Sequence, residues 1–353
     1  MSRAPKTGAA GPPASLMLRE TAEAPEVVAR LIAANEDACR ELAARLRAAP
    51  PRFVVTCARG SSDSAATYAK YLIELKLGVV VASVGPSIAS VYGRRPAMAG
   101  ALFLAISQSG RSPDLLTLAE AARADGALTV ALVNDAASPL AERCEVVLPL
   151  HAGAETSVAA TKSYLASLAA VLQLGAHWSG DPRLDRAVRR LPDDLNDALG
   201  RDWRAALPVL AAVPGLYVVG RGPGFAAAQE VALKLKETCG IHAEAVSFAE
   251  LRHGPLALAG ADFPVILLSQ RDESLAGVAE LGAELSARGV PVVAIGPAAV
   301  AGALTLPVAK GIDPFAQPLM LVQSFYPLAA VLARQRGRDP DNPPHLSKVT
   351  RTT

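Results

Sequence analysis

The sequence predicts an α/β protein made of two lobes in tandem, each a parallel sheet flanked by helices. Three observations predict this fold class. Short runs rich in valine, leucine and isoleucine alternate with alanine-rich segments of helical periodicity. The short runs are continuously apolar, which is typical of parallel strands that are buried on both faces. The whole alternation occurs twice along the chain.

Four apolar runs in the first half are the predicted strands, at residues 52–58, 101–107, 128–134 and 145–150. The segment between the second and third runs is a predicted helix, in which Ser112 caps the first turn, Pro113 occupies it and Gly126 follows the end. Strands that alternate with helices form βαβ units, so the sequence predicts a doubly wound layer.

The second half repeats the first, with predicted strands at residues 215–222, 262–270 and 290–296. The matched pairs are Arg59 and Arg221, Ser107 and Ser269, and Val130 and Val292, and their separations (221 − 59, 269 − 107 and 292 − 130) are equal. Three elements at one offset indicate two copies of one domain. The predicted units, with a charged linker near 179–195, are an arm and helix (1–50), a first domain (51–195), a second domain (196–337) and a C-terminal tail (338–353).

Composition excludes several classes of protein. The net charge is +2, 4% of the residues are aromatic and no basic stripe occurs, so we expect no nucleic-acid partner. No run of about 18 uninterrupted apolar residues occurs, so we expect no membrane span. Residues 1–15 lack the apolar segment of a signal peptide, and we expect a disordered arm and a cytoplasmic protein. The cysteines form no CxxC pair and are predicted to be buried free thiols: Cys39, Cys57, Cys144 and Cys239.

A polar cluster follows the second predicted strand, where Ser107, Gln108, Ser109, Gly110 and Ser112 precede a helix. Ligands of open α/β sheets bind beyond the carboxyl ends of strands, where helix N-termini present unpaired N–H groups. An ordinary turn with an N-cap would need Ser112 alone. The additional hydroxyl and amide groups therefore predict a site for a phosphate monoester.

Other glycine turns are less informative. "CARGSSDSA" (57–65) is the matching turn after the first strand, with Ser61 at the start of a helix, and it is not the GxSxG motif of a nucleophile elbow. The chain contains no GxxxxGK[ST], which excludes a P-loop, and "GRGPGF" (220–225) departs from GxGxxG. The second copy continues as "SQRDES", without the hydroxyl cluster, and predicts only a structural turn there.

A helical stretch of the second half carries Glu230, Lys234 and Glu237 at i, i+4 and i+7, which places them on one face. One interpretation is a solvated face with a Glu230–Lys234 ion pair. The alternative is a functional carboxylate, because Glu237 opposes the helix dipole just before Gly240.

His253 lies in "ELRHGPL", at the end of an element on a predicted loop. Glu250 and His253 form an E-x-x-H without a second such pair, so we expect no metal site. Spacing alone thus predicts a phosphate-binding α/β protein with a candidate carboxylate base and a histidine.

Five motifs in order resemble the sugar isomerase (SIS) domain pair of the glucosamine-6-phosphate synthase family. They are "SQSGRSPD" (107–114), "ETSVAATKSY" (155–164), "EVALKLKE" (230–237), "IHAEAVSFAELRHGPLAL" (241–258) and "HLSKVT" (345–350). The resemblance begins near residue 17 and implies two flavodoxin-like SIS lobes. It implies that a hexose or hexosamine 6-phosphate binds to Ser61, Ser107, Gln108, Ser109, Ser112 and the backbone of Val158 and Ala160. The family has serine where Ala160 stands, so a side-chain contact would be lost there.

The resemblance also implies catalytic roles. Glu237 would move a proton between C1 and C2, Lys234 precedes it by one helical turn, and Lys348 would reach the carbonyl carbon. His253 would open the sugar ring in the site of a second subunit, which implies a homodimer with its active site at the interface. The tail 339–353 would close the site, whereas its composition alone predicts disorder. No metal or other cofactor is expected.

The synthases carry a glutaminase domain that does not precede the isomerase region here, and "SGRSPDLL" resembles stand-alone type II glucosamine-6-phosphate deaminases. The implied reaction converts glucosamine 6-phosphate and water into fructose 6-phosphate and ammonia. The alternatives are a fructosamine-6-phosphate deglycase, the isomerase subunit of a glutamine-dependent aminotransferase, and a sugar-phosphate sensor without turnover.

Overall fold

The computed structural model describes residues 15–311 and 313–348, so nearly all of the predicted disordered arm lies outside the described residues. The first lobe contains a five-stranded, fully parallel sheet in the order β2-β1-β3-β4-β5. Its strands are β1 (Val54–Cys57), β2 (Val81–Ser83), β3 (Leu102–Ser107), β4 (Leu128–Val133) and β5 (Val146–Pro149). Four of these lie within the four predicted apolar runs, and β2 is a short edge strand that the sequence did not predict.

The second lobe repeats this sheet in the same order, β7-β6-β8-β9-β10. Its strands are β6 (Gly215–Gly220), β7 (His242–Ser247), β8 (Val265–Leu268), β9 (Val292–Ile295) and β10 (Leu304–Leu306). The predicted runs contain β6, β8 and β9. The edge strand β7 was missed because polar and apolar residues alternate in "HAEAVS". The two sheets confirm the predicted fold class.

Thirteen helices cover the sheets in the described part of the chain. They are α1 (Leu16–Ala22), α2 (Ala24–Ala48), α3 (Ser61–Leu77), α4 (Ser87–Ser90), α5 (Pro113–Ala124), α6 (Pro139–Arg143), α7 (Lys162–Ser179), α8 (Pro182–Leu199), α9 (Leu207–Leu210), α10 (Pro223–Lys234), α11 (Phe248–Leu251), α12 (Leu275–Ala287) and α13 (Gln317–Gln335). None of these helices is long and apolar enough to cross a bilayer. The four cysteines are buried and unpaired, which confirms that prediction.

Helix α8 corrects the predicted linker at 179–195. Asp181 caps this helix by accepting a hydrogen bond from Arg183 N at 2.8 Å, and Pro182 occupies its first turn. Leu184, Leu191 and Leu195 recur on one face and are fully buried. The charge and the prolines therefore belong to an amphipathic helix, and the predicted domain boundary between 195 and 196 falls inside it.

One hydrophobic core runs through both lobes and includes residues of α2, α3, α7, α10 and α13. Tyrosine hydroxyls join the lobes across this core. Tyr68 of the first lobe donates to Phe315 O at 2.7 Å, and Tyr164 donates to Ala226 O at 3.2 Å. The helices between the sheets thus hold the two lobes in one packed unit.

Helices α3 and α10 occupy the same position in their lobes and pack against each other. Each begins after a glycine in the same unusual conformation, Gly60 with φ 57° and ψ −133° and Gly222 with φ 53° and ψ −135°. Positive φ favours glycine, so these turns require that residue. The two glycines are separated by the same offset as the matched strands (222 − 60), and the repeat therefore extends to the backbone torsions.

Candidate functional site

A cavity of about 190 Å³ lies at the carboxyl edge of the first sheet, where the second lobe and the tail close over it. Ten of the eleven predicted site residues line it: Ser61, Ser107, Gln108, Ser109, Ser112, Val158, Ala160, Lys234, Glu237 and Lys348. Six residues that were not predicted as site residues complete its lining: Arg59, Ser62, Ile106, Leu115, Leu346 and Ser347. Residues from both lobes and the tail therefore meet in one place.

The turn after β3 shapes one wall of the cavity. Ser107 Oγ accepts a hydrogen bond from Gly110 N at 3.1 Å, so its own hydrogen can be donated to a ligand. Gly110 has φ 62°, and a Cβ there would lie 2.2 Å from Ser138 Oγ. Only glycine fits this close approach, which fixes the direction of the serines on either side.

Two helices of the first lobe begin at this wall. The N-cap residues of these helices, Gly60 for α3 and Ser112 for α5, make no side-chain capping hydrogen bond, and in α5 Leu115 N donates to Asp114 Oδ1 at 2.9 Å. Ser112 occupies the predicted N-cap of α5 without a side-chain capping hydrogen bond, and it lines the cavity. The positive ends of two helix dipoles favour an anion here.

Arg59 adds a full positive charge that the sequence prediction missed. Its guanidinium donates to Asp114 Oδ2 from Nη2 at 2.7 Å and from Nε at 3.1 Å. Asp114 is fully buried at the start of α5, whereas the Arg59 side chain is half-exposed and lines the cavity. A buried carboxylate thus orients an arginine toward the anion site. An arginine directly after the first predicted strand was the signal available in the sequence.

The opposite wall carries a lysine between two carboxylates. The Lys234 ammonium lies 2.6 Å from Glu237 Oε2 and 3.4 Å from Glu230 Oε1. It also donates to Ser61 Oγ at 3.0 Å, across the interface between the lobes. The interpretation of a solvated face is wrong, because Lys234 and Glu230 are both completely buried. Helix α10 turns this face toward α3 and α13, and Glu237 alone of the three is partly exposed.

Burial and neighbouring charges shift the pKa values of Glu230 and Lys234. Burial raises the pKa of Glu230, whose Oε1 accepts hydrogen bonds from Tyr326 OH at 3.0 Å and Ser61 Oγ at 3.3 Å. Burial alone would lower the pKa of Lys234, but the charges of Glu230 and Glu237 raise it above its ordinary value. Lys234 therefore remains an ammonium ion beside the Glu237 carboxylate.

A π-helical turn, Leu235–Cys239, presents Glu237 to the cavity. It ends at Gly240 with φ 62°, where a Cβ would lie 2.2 Å from the guanidinium carbon of Arg338. A π turn changes the direction of the side chains after it relative to a continuous α-helix, and such turns occur frequently at functional sites. The sequence predicted the position of Glu237 before Gly240 but not this change of helix type.

The tail brings Lys348 into the cavity wall. Its ammonium lies 2.9 Å from Glu155 Oε2 and donates to Ser157 O at 2.7 Å. Glu155 is completely buried and also accepts from Thr161 N at 3.0 Å and from Ser163 Oγ at 2.6 Å. Although burial alone would raise it, the pKa of Glu155 is lowered by the Lys348 charge and these hydrogen bonds.

Helix α1 contacts both the tail and the loop that contains Ser157. The Asp341 carboxylate of the tail accepts hydrogen bonds from Leu16 N and Met17 N, both at 2.8 Å. The Glu20 carboxylate accepts from Thr156 N and from Ser157 N, the latter at 3.2 Å. The segment of Val158 and Ala160 is thus fixed between α1 and the tail, an arrangement that no local pattern in the sequence predicted.

His253 is the predicted site residue that the structure does not bring to this cavity. It lies exposed on the turn after α11, as the sequence predicted for its local environment. Its role in the site of a second subunit stays a prediction. In residues 15–311 and 313–348, no group of three or more histidine, cysteine, aspartate and glutamate side chains is placed to hold a metal ion.

Comparison with known proteins adds the following. The family model of the SIS domain matches residues 49–176 and 210–298. The isomerizing glutamine–fructose-6-phosphate aminotransferase of Caulobacter vibrioides is 34% identical over 314 residues, which cover 84% of this chain and 51% of that protein. The chain thus spans about half the length of the curated relatives that it matches.

Solved structures with the same fold include a proposed phosphosugar isomerase from Silicibacter pomeroyi, with a TM-score of 0.89 and 44% identity over 93% of this chain and 100% of that one. A glucosamine-6-phosphate deaminase from Thermotoga maritima has a TM-score of 0.74 and 20% identity over 96% of this chain and 100% of that one. At this identity, the likeness to the deaminase concerns the fold alone.

Proposed function

The chain belongs to the SIS domain family, and on that premise we propose that it is a phosphosugar isomerase that deaminates an amino-sugar phosphate. The reaction is glucosamine 6-phosphate plus water to fructose 6-phosphate plus ammonia. One observation carries the proposal: a carboxylate held by a buried lysine faces a serine-rich anion site inside a single small cavity. Neither lobe contains this combination alone.

The anion site suits the phosphate group of the substrate. Hydroxyl groups of Ser107 and Ser109, the N-termini of α3 and α5 and the Arg59 guanidinium supply directed donors and positive charge. The cavity volume of about 190 Å³ limits the ligand to a small molecule. A phosphate held at this wall extends the sugar toward Glu237 on the opposite wall.

Glu237 is the proposed base. In the open-chain aldehyde, its carboxylate takes the proton from C2 and returns it to C1, while O1 gains a proton and the amine nitrogen loses one. The 1-aldehyde 2-amine thereby becomes a 1-hydroxy 2-imine. Water then adds to the imine carbon, and ammonia leaves as the C2 carbonyl of fructose 6-phosphate forms. The Lys234 ammonium, 2.6 Å from Glu237 Oε2, orients this carboxylate.

Lys348 and the tail would limit the access of water to the intermediate. The Lys348 ammonium is positioned by Glu155 and Ser157 O, and it lines the same cavity as Glu237. Exclusion of bulk water would protect the enolamine from side reactions. A second copy of the chain would supply its own His253 for ring opening, so we propose a homodimer as the active unit.

The 34% identity to an aminotransferase favours a second candidate. The same proton transfer runs in the opposite direction when ammonia is supplied to fructose 6-phosphate, with Glu237 moving the proton from C1 to C2. Both candidates use the same cavity, and with free ammonia they are the two directions of one equilibrium. A dependence of fructose 6-phosphate amination on glutamine and a glutaminase partner would distinguish the second candidate from the first.

The direct test is to incubate the full chain with glucosamine 6-phosphate and to measure ammonia and fructose 6-phosphate. Replacing Glu237→Gln should lower kcat by about 10²–10⁴-fold while substrate binding persists, because a positioned base contributes about that factor. Glu41→Gln, an exposed carboxylate on α2, is the matched control and should retain full activity. Absence of product from every hexosamine 6-phosphate, or an active Glu237→Gln variant, would exclude the proposal.

A further inference from the structure

We propose that the second lobe holds its own binding site for a small molecule that carries phosphate and hydroxyl groups. The site is a cavity of about 560 Å³ at the carboxyl edge of the second sheet, about three times the volume of the first. It lies between the end of α3, the start of α8, the start of α10 and the turn after β8. The proposal goes beyond the proposed function and does not depend on it.

The second cavity is the internal counterpart of the first. Three pairs of residues that line the two cavities share one separation along the chain: Ser61 and Pro223 (223 − 61), Ser109 and Arg271 (271 − 109), and Leu75 and Glu237 (237 − 75). This separation equals the offset of the repeat itself. The position of the second cavity therefore follows from the duplication that placed the anion site in the first lobe.

At the positions where the two cavities differ, the second lacks the proposed catalytic base but has a cation that can bind an anion. Leu75 occupies the place of the Glu237 carboxylate, and the position that matches Lys234 at the same offset is the buried Leu72 (234 − 72). The second cavity thus has no base for proton transfer at that place. Arg271 replaces the Ser109 hydroxyl with a guanidinium, so the turn predicted to be merely structural carries a cation into the cavity.

Four cations line this edge of the second sheet, and three of them form no salt bridge among the described residues. The guanidinium groups of Arg183, Arg186 and Arg271 form no salt bridge within 4.0 Å with any residue in the described ranges. Lys76, the fourth cation of the lining, is paired with Asp181 at 2.9 Å. Three guanidinium groups line one cavity, and each can bind a phosphate through two N–H groups.

Three carboxylates share the cavity and define the rest of the ligand. Asp272 already accepts hydrogen bonds from Ser274 N at 2.9 Å and from Gln270 Nε2 at 2.6 Å. Asp313 is buried and accepts from Phe315 N at 2.9 Å, and Glu273 lines the exposed rim. Carboxylates repel a polyanion but accept hydrogen bonds from hydroxyl groups. A phosphorylated sugar or polyol offers a phosphate to the arginines and hydroxyl groups to the carboxylates.

The test is a calorimetric titration of the full chain with glucitol 6-phosphate, which has no carbonyl group and cannot be isomerised. We expect the wild type to bind glucitol 6-phosphate in the second cavity. The double variant Arg186→Gln/Arg271→Gln, which changes two exposed residues, should bind it there with at least tenfold weaker affinity. Arg94→Gln/Arg95→Gln removes the same charge from an exposed loop and should bind like the wild type.

Two results would overturn the site. One is binding by Arg186→Gln/Arg271→Gln that equals the wild type in affinity and stoichiometry. The other is an equal loss in Arg94→Gln/Arg95→Gln, which would indicate a general effect of charge. Failure of the proposed function would appear separately. In that case the Ser107→Ala/Ser109→Ala variant, altered in the first cavity, would bind glucitol 6-phosphate as the wild type does.

Discussion

Replacing Lys234→Met tests whether the buried group of Lys234, Glu230 and Glu237 is held together by charge. The substitution keeps most of the side-chain volume and removes the ammonium. Glu230 then loses its cation while it stays completely buried, with Oε1 bonded to Ser61 and Tyr326. Its other oxygen, Oε2, already has no hydrogen-bond partner among the described residues.

The expected cost follows from this burial. Removal of one partner of a buried ion pair destabilises a protein by about 3–5 kcal/mol. The entropy of unfolding is about 2.1 cal/mol/K per residue, or roughly 0.7 kcal/mol/K for this chain if it unfolds as one unit. The unfolding midpoint should therefore fall by about 4–7 °C. Lys236→Met, an exposed neighbour, should cost less than about 0.5 kcal/mol.

The loss of stability caused by Lys234→Met should increase as pH rises. A carboxyl group whose pKa is higher in the folded state than in the unfolded state destabilises the fold increasingly as pH rises above its ordinary value of 4.5. Lys234→Met should therefore be closer to the wild type at pH 5 than at pH 8. The double variant Lys234→Met/Glu230→Gln removes the stranded charge and should recover stability at pH 8.

Differential scanning calorimetry of the four proteins between pH 5 and 8 measures all of these effects. The reasoning fails if Lys234→Met costs no more than Lys236→Met. It also fails if the double variant is less stable than Lys234→Met at pH 8, since the buried charge of Glu230 would then not be the source of the loss.

Three further predictions concern other parts of the chain. Gly110→Ala should abolish ligand binding at the first cavity and lower the unfolding midpoint, because a Cβ there meets Ser138 Oγ at 2.2 Å; calorimetry of this variant gives both readings. Lys348→Met should destabilise the protein at pH 7 and match the wild type once pH falls below the lowered folded-state pKa of Glu155, where that carboxyl is protonated in both states; thermal unfolding against pH measures this. The four thiols, whose pKa values burial raises to about 11 or about 12, should react with iodoacetamide only after denaturation, which mass spectrometry detects.

The sequence predicted the architecture well because the repeat and the apolar runs are local signals. Buried parallel strands are apolar throughout, and one constant offset relates the two copies without any knowledge of contacts. The strands that were missed, β2, β7 and β10, lie at or near sheet edges, where only one face is buried or the strand is three residues long. There the pattern that marks a strand is weak.

The site was predicted in part, and the limits have physical causes. Periodicity placed Glu230 and Lys234 on one helix face, but which face is buried depends on the other lobe. The pairs of Arg59 with Asp114 and of Lys348 with Glu155 join residues far apart in the chain. Such contacts leave no trace in local spacing.

The opposed course of α3 and α10 has a consequence for how such a protein could arise. Each cavity takes walls from both lobes, because α3 begins at the first and ends at the second, while α10 does the reverse. A single-lobe ancestor could have formed these cavities only by pairing with an identical copy, and both would then have been equal. We infer that joining two copies in one gene allowed the two cavities to differ, with Glu237 in one and Leu75 in the other. A symmetric pair of separate chains cannot become unequal in this way, because every mutation appears in both cavities at once.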